Sequence, residues 1–416
     1  MRRPYGKENQ VKVMKRPIPH FDKLLKAAAR KSLCLASDWL VRTQVRDAWP
    51  FWDANKGRYP YHILIDPVKR SKTKRMWSTC WKTARAAQGL YSAFSVTGKK
   101  EYLEAANRGL EYVATLQFFE PGYEEFHGGF REDSPQGPHL AVRDGMEAVQ
   151  AFINGYLVTG EERYLRRAVV GADWTLKLLN SDKYPCYLVF PLQRRYVPVQ
   201  PDSALFIRCA GAIIFTQLSA ITGRKDYITK GAVPLSDYIL ENCIGANGAL
   251  VPDRGRSGYH HLDAGAKLKN VISNDDGVGV ALLSTYAVTR DEKYLKAALG
   301  MADFWADVDE DPTRLAAFSS LSLFLSDVYR LTRDRKYLPA IRRFTRKTIE
   351  LQYLDRKEPL LHGGYIGEDM AKHYDKTTEP TDWVDLRITS YTLIAFSKIA
   401  AERPSEWGCA YSCFGW

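Results

Sequence analysis

One pattern returns five times along this chain: Thr, usually Gly, three mostly charged residues, then Tyr followed by Leu or Ile. The copies begin at Thr97-Gly98, Thr159-Gly160, Thr222-Gly223, Thr289-Arg290 and Thr332-Arg333, and their tyrosines are Tyr102, Tyr164, Tyr227, Tyr294 and Tyr337. Each copy lies between two apolar stretches of helical period. A unit repeated in this way dictates an array of helical hairpins. Gly ends the first helix in the left-handed conformation. The charged residues cross a solvent-facing turn, and the Tyr-Leu pair opens the apolar stripe of the second helix.

The spacing predicts first-of-pair helices at about 80–96, 145–158, 203–221, 277–288, 316–331 and 386–401. Second-of-pair helices are expected at about 100–117, 162–179, 225–242, 292–307 and 336–353, with an unpaired helix at about 21–44 ahead of them all. The odd helices at the two ends complete a sixth hairpin if the array closes into a ring. Closure also hides the apolar end faces that an open solenoid must cap. The first helices are apolar all round, as in Ala281-Leu282-Leu283-Ser284-Thr285-Tyr286-Ala287-Val288, and belong inside. The second helices carry charge on one face, as in Tyr164-Leu165-Arg166-Arg167-Ala168, and belong outside. The expected fold is all-α, a closed (α/α)6 toroid formed by residues 21–416, behind a basic and flexible segment 1–20.

The chain has 416 residues and a formal charge of +12. Much of the excess is local, in residues 1–16 and in Lys69, Arg70, Lys72, Lys74 and Arg75. A basic surface attracts anions, including polyanionic sugars. No nucleic-acid motif accompanies the charge, and no uninterrupted apolar run has membrane-spanning length, so neither partner is expected. Seven cysteines without a CxxC pair fit reduced thiols better than a disulfide framework, and no metal or cofactor is expected. The basic N-terminus has no apolar stretch behind it, which reads as cytoplasmic unless a signal has been removed.

Function is expected on one rim. The Thr-Gly turns are short, whereas the links from outer to inner helices are long, at about 118–143, 180–201, 243–274 and 354–385. All the long loops leave from the rim that carries the inner-helix N-termini. The entrances there are polar: Trp77-Ser78-Thr79-Cys80-Trp81-Lys82, Arg143-Asp144-Gly145-Met146, Pro201-Asp202-Ser203, Asn274-Asp275-Asp276-Gly277 and Asp382-Trp383-Val384-Asp385-Leu386-Arg387. Any one of these Asp residues can be a helix cap. Several converging on one mouth can also supply a pair of carboxyls, with a like-charged neighbour raising one pKa as a general acid requires.

A second repeat lies on the same rim. Gln117 precedes His127-Gly128-Gly129-Phe130, and Gln352 precedes His362-Gly363-Gly364-Tyr365, at the same spacing. Gly-Gly lets backbone approach closely, so the aromatic is either a sugar platform or a packing residue over an outer helix. The loops add Tyr196, Arg254, His260 and His261. With Arg143 and Arg387 they make a cationic mouth suited to a carboxylate, and Trp77, Trp81 and Trp383 could stack on pyranose faces.

In its helix count and its Thr-Gly-x-x-x-Tyr-Leu connectors the chain resembles the six-hairpin glycosidase-like superfamily. That superfamily includes glycoside hydrolases and unsaturated glucuronyl hydrolases, and polysaccharide lyases and sugar epimerases use similar toroids. The resemblance implies a carbohydrate-active enzyme, and the leading expectation is hydrolysis of a glycosidic bond in an acidic, uronate-containing oligosaccharide or polysaccharide. Asp144 and the Asp275-Asp276 pair are the candidate catalytic carboxyls, with Asp202, Asp382 and Asp385 behind them. Arg143-Asp144-Gly145-Met146 is loosely similar to the inner-helix Asp motif of the unsaturated glucuronyl hydrolases. A lyase using Tyr196, His261 and Arg254, an epimerase using two His residues, and a non-catalytic binding toroid are the alternatives. The D-x-D-D signature of isoprenoid cyclases and the Cys-His-Gly run of lanthionine cyclases are both missing.

Overall fold

The computed structural model describes residues 21–46, 56–65, 78–199, 201–255, 262–263, 265–273, 277–367 and 379–401, with backbone alone at 201–203 and 255. Its helices run in chain order: α1 (Lys23–Thr43), α2 (Cys80–Thr97), α3 (Lys100–Thr115), α4 (Val142–Thr159), α5 (Glu162–Leu179), α6 (Pro201–Thr222), α7 (Val233–Cys243), α8 (Val278–Thr289), α9 (Glu292–Asp307), α10 (Leu315–Thr332), α11 (Leu338–Glu350) and α12 (Leu386–Ala400). Helices α2, α4, α6, α8, α10 and α12 pack side by side in that order, and α12 returns against α2. The ring is closed. Helix α1 packs on α12 and completes the sixth hairpin. Helices α10 and α12 are buried on nearly every side, whereas α5 and α11 bury a single stripe. Segment Ala204–Thr222 of α6 has the length and hydropathy of a membrane span, but 83% of it is buried inside the ring. Its apolar surface is therefore that of an inner helix.

The five connectors share one construction that the sequence only half discloses. The residue after each Thr is left-handed: Gly98, Gly160 and Gly223 at φ 71°, 74° and 76°, Arg290 and Arg333 at 63° and 64°. Each Thr hydroxyl donates to the carbonyl four residues back, and its oxygen accepts the N–H two residues on. The tyrosines do more than open an apolar stripe. Their hydroxyls donate, at 2.7–2.8 Å, to a carboxylate on the preceding outer helix: Tyr102 to Asp38, Tyr164 to Glu111, Tyr227 to Asp173, Tyr294 to Asp237 and Tyr337 to Asp303. A cation from the turn, Lys99, Arg163, Arg224, Lys293 or Lys336, pairs with the same carboxylate and lies over the tyrosine ring. Outer helix is thus buttoned to outer helix around the ring, and Arg342 of α11 closes the circuit on Asp22 at the cap of α1. Tyr164→Phe and Tyr294→Phe should each cost about 1–2 kcal/mol of unfolding free energy, nearly additively, because each removes a bond to a charged acceptor at a separate joint. Urea midpoints of the single and double variants check this.

The fourth outer helix departs from the expected continuous run. Tyr227–Ala232 forms a π-helical turn before α7 begins. Pro234 has no N–H for the carbonyl of Lys230, and that carbonyl instead accepts from Asn180 Nδ2.

The Gln…His-Gly-Gly repeat is a structural clamp. Gln117 Nε2 donates to the carbonyls of Gly128 and Arg167, and Gln352 Nε2 to those of Gly363 and Ser32. Gly128 and Gly363, at φ 98° and 97°, bring these turns onto the next outer helices, α5 and α1. A Cβ at Gly128 would lie 2.5 Å from the Val170 carbonyl oxygen, and one at Gly363 2.3 Å from that of Leu35. Phe130 and Tyr365 are buried beneath. The repetition at hairpins two and six shows α1 standing where a following outer helix should. Gly363→Ala is expected to lose about 1–3 kcal/mol, read from its thermal midpoint, since φ and the contact both oppose it.

Small strands trim the rim, which the helical periodicity does not predict. β1 (His62–Leu64), β6 (Trp383–Asp385) and β5 (Tyr365–Ile366) form one antiparallel sheet, in the order β1-β6-β5. β2 (Leu140–Ala141), β3 (Cys186–Phe190) and β4 (Arg195–Pro198) form the other. β2 runs straight into α4 and β6 into α12, so the sheets aim two of the inner-helix entrances.

Candidate active site

Asp144 lies in the first turn of α4, and it is no cap. The N-cap position belongs to Ala141, which makes no side-chain bond. Asp144 is 1% exposed and its Oδ2 has no hydrogen-bond partner. Arg143 Nη1 is 3.8 Å from Oδ1, too long for a hydrogen bond. Burial pushes the carboxyl pKa well up, the neighbouring Glu132 adds to this, Arg143 opposes it, and Glu147 and Asp133 push further up. A raised pKa favours the protonated form that a general acid needs.

Glu132 belongs to the loop before β2. It is half-buried, its own carboxyl raised by burial, and His139 Nε2–H donates to its Oε2 at 2.9 Å. The N–H of Cys80, at the start of α2, donates to the Glu132 carbonyl, and the Cys80 thiol lies 3.9 Å from the Asp144 carbonyl. The α2 entrance is therefore fastened to both acids. Burial raises the pKa of the Tyr187 phenol on β3, and the nearby acids Asp144 and Glu132 add to this. Glu132, Asp133 and His139 each bring a donor atom within 4.8 Å of the others, a spacing an ion could bridge. The His139–Glu132 bond already joins two of the three, and no ion is assigned to them.

One turn deeper on α4, Glu147 lines a cavity on the ring axis together with Arg85, Gln150, Phe206, Gly277 and Tyr391. Arg85 forms an ion pair with Glu147, reaches Gln88 and Gln150 with Nη1, and lies over the Tyr391 ring at 4.8 Å. Arg143 lies between Trp81, at 4.3 Å, and Phe206, at 5.9 Å, and Arg387 approaches the same Trp81 ring at 5.9 Å. The mouth thus holds two guanidiniums on one indole, with the buried carboxyl of Asp144 next to Arg143 in the chain.

Of the expected site residues, the structure brings Trp81, Arg143, Asp144 and Arg387 together. Asp275, Asp276, Trp77, His260, His261 and the side chain of Asp202 lie outside the described residues and atoms. Others have structural work. Asp385 caps α12 through Ile388 N–H at 3.0 Å and pairs with buried Lys82 at 3.4 Å. Asp382 accepts from Glu379 N–H in a capping box. Trp383, 1% exposed, packs edge-on against His62 at 4.1 Å and presents no face to a sugar. Burial, helped by Lys82 and opposed by Asp385, holds that His62 neutral with its pKa pushed down to about 3. His127 bonds the Glu120 carbonyl of its own loop, and the carbonyl of His362 receives Arg42 of α1. Tyr196 packs on Phe126, with ring centroids 6.3 Å apart. Arg254 is exposed and bonds Asn242.

Sequence reasoning missed Arg85, Glu147, Gln150 and Tyr391. Their signal was present: Arg85, Glu147 and Tyr391 each follow an entrance residue by four, placing them one turn below Trp81, Arg143 and Arg387 on helices otherwise apolar. Glu132, His139 and Tyr187 sit on loops and strands where no period marks them.

No family model matches the chain, and no curated protein does. Solved structures do. An unsaturated glucuronyl hydrolase specific for heparin matches with a TM-score of 0.62 at 15% identity, over 90% of this chain and 97% of that one. A cellobiose 2-epimerase from Bacillus thermoamylovorans B4167 matches at 0.60 and 14%, over 89% and 98%. An inactive variant of an α-1,6-mannanase from Salegentibacter sp. HEL1_6, in complex with α-1,6-mannotetrose, matches at 0.59 and 12%, over 90% and 98%. At these identities the likeness is one of fold: the chain has the (α/α)6 toroid that these structures share.

Proposed function

We propose that the protein is a carbohydrate-active enzyme, a glycoside hydrolase that cleaves a glycosidic bond in an acidic, uronate-containing oligosaccharide or polysaccharide. The observation that supports this best is Asp144: a buried carboxyl that caps nothing, has an unpartnered oxygen and stands beside a cationic mouth, with burial pushing its pKa up. It is suited to protonate the departing glycosidic oxygen as general acid. One of Asp275 or Asp276 is the proposed partner carboxylate, which would direct water to the anomeric carbon and take its proton. They adjoin Gly277, which lines the axial cavity. Arg143 and Arg387, gathered on Trp81, would receive the uronate carboxylate, for which a planar fork is well matched. The fold neighbours, an unsaturated glucuronyl hydrolase, an epimerase and a mannanase, support a carbohydrate-active enzyme and choose neither the reaction nor the substrate.

The experiment is a comparison of uronate oligosaccharides with neutral ones of equal length, scored by new reducing ends. Cleavage confined to the anionic set, and lost in Asp144→Asn, is the expected result. Cleavage of the neutral set alone would remove the role given to Arg143 and Arg387.

A further inference from the structure

The outer helices do not share the positive charge of the chain evenly. Helices α1 and α11 together carry nine Lys and Arg against two acids, whereas α3, α5, α7 and α9 together carry eight against ten. The two basic helices are neighbours in the outer ring. Arg342 Nε of α11 donates to Asp22 at 3.1 Å, and Gln352 Nε2, just past α11, donates to the Ser32 carbonyl at 3.0 Å. Both contacts join residues 320 apart in the chain, so the helices run parallel and in step, with Arg346 level with Lys26. The nearby acids are taken by other cations: Asp22 by Arg342, Asp311 by Arg343 and Lys347, and Asp303 and Asp334 by Lys336. Lys23, Lys31 and Arg346 are exposed, as is Arg335 in the turn that leads into α11. These four have no acidic partner among the described residues.

We propose that this outer face of α11 and α1 is a second binding surface for an anionic polysaccharide, a uronate chain with one carboxylate per sugar. The choice of a uronate rests on the substrate class proposed for the active site. Charge complementarity carries the rest. Lys23 and Lys31 lie about 12 Å apart along α1 at the helical rise per residue, so a linear polyanion laid on the face meets several cations in succession. Other polyanions fit less well. Single-stranded nucleic acid stacks its bases on aromatic rings, and Trp39 and Phe344, the aromatic residues of these two helices, are fully buried. An anionic membrane takes up an apolar helix face along with the charge, and Leu24 is the only large apolar side chain that these helices expose. Arg335 belongs to a connector, so the surface reaches the rim opposite the active-site mouth. A long polymer can be held at both places, which raises its effective concentration at the mouth, and a short oligosaccharide cannot.

The test combines Lys23→Gln, Lys31→Gln, Arg335→Gln and Arg346→Gln in the full chain, and the melting temperature should hold because none of the four pairs with an acid. Binding of polygalacturonate is measured by calorimetry, with Asp144→Asn in both proteins so that cleavage does not consume the polymer. At low salt the four substitutions should weaken binding about 10-fold or more. The difference should vanish near 1 M salt, where screening acts within about 3 Å. Unchanged affinity at low salt overturns the proposal. Duplex DNA and phosphatidylserine vesicles are run beside the polymer, and tighter binding to either, lost with the same substitutions, overturns the choice of partner. A second measurement separates the surface from the active site. With Asp144 intact, the four substitutions should raise KM for the polymer about 10-fold and leave turnover of a tetrasaccharide unchanged. An equal effect on both lengths overturns a surface remote from the mouth. If neither length is cleaved, the hydrolase reading fails, and the binding comparison still decides the surface.

Discussion

Asp144→Asn should reduce turnover about 10²–10⁴-fold, the usual cost of losing a general acid, without lowering the melting temperature. The two halves of this result belong together. A helix cap replaced by a poorer one loses stability, but Asp144 caps nothing and leaves a buried oxygen unpaired. Its folded-state pKa lies above the ordinary 3.8. A group raised in this way contributes most below its unfolded pKa, and that contribution is lost as pH rises through the folded pKa. The variant cannot ionise, so its melting temperature should meet or exceed that of the wild type, and the margin should widen as pH rises. Calorimetry from pH 4 to 9 beside a rate measurement checks both. A variant that keeps its activity and melts earlier would return Asp144 to a structural role.

The largest loss of stability is expected at the joint between α10 and α12. Lys398 of α12 bonds both carboxylate oxygens of Asp327 of α10, and the two side chains are 3% and 0% exposed. Breaking such a pair leaves one charge buried and uncompensated, so Asp327→Ala should cost about 3–5 kcal/mol. Replacing both partners with apolar residues of similar volume, Asp327→Leu with Lys398→Met, should recover most of that loss. Unfolding midpoints of the single and double variants measure it. A double variant no better than the single would mean that the pair acts through other contacts.

The toroid was legible because its information is periodic. Five connectors, two helix compositions and an odd helix at each end were enough to infer ring closure, which α1 on α12 bears out. What escaped was whatever reaches across hairpins. The partners of the connector tyrosines lie 34 to 64 residues upstream, as with Asp303 for Tyr337 and Asp38 for Tyr102, with no local mark on either carboxylate. At the entrances the residue type was right and the role ambiguous. Asp144 and Asp385 look alike in sequence. Only packing separates them, because β6 leaves Asp385 at an N-cap beside Lys82, whereas β2 carries the chain past the cap and buries Asp144 in the next positions. Glu132, His139 and Tyr187 come from a loop and a short hairpin, whose shape depends on long-range pairing rather than on period.

The most direct test of the account is the product of the wild-type protein on a uronate oligosaccharide in ¹⁸O-water, read by mass spectrometry and near-ultraviolet absorbance. Hydrolysis predicts one heavy oxygen at the new reducing end, no new absorbance, and no product from Asp144→Asn. An unsaturated, absorbing product without heavy oxygen would contradict hydrolysis in favour of elimination, and hydrolysis that persists in Asp144→Asn would contradict the site.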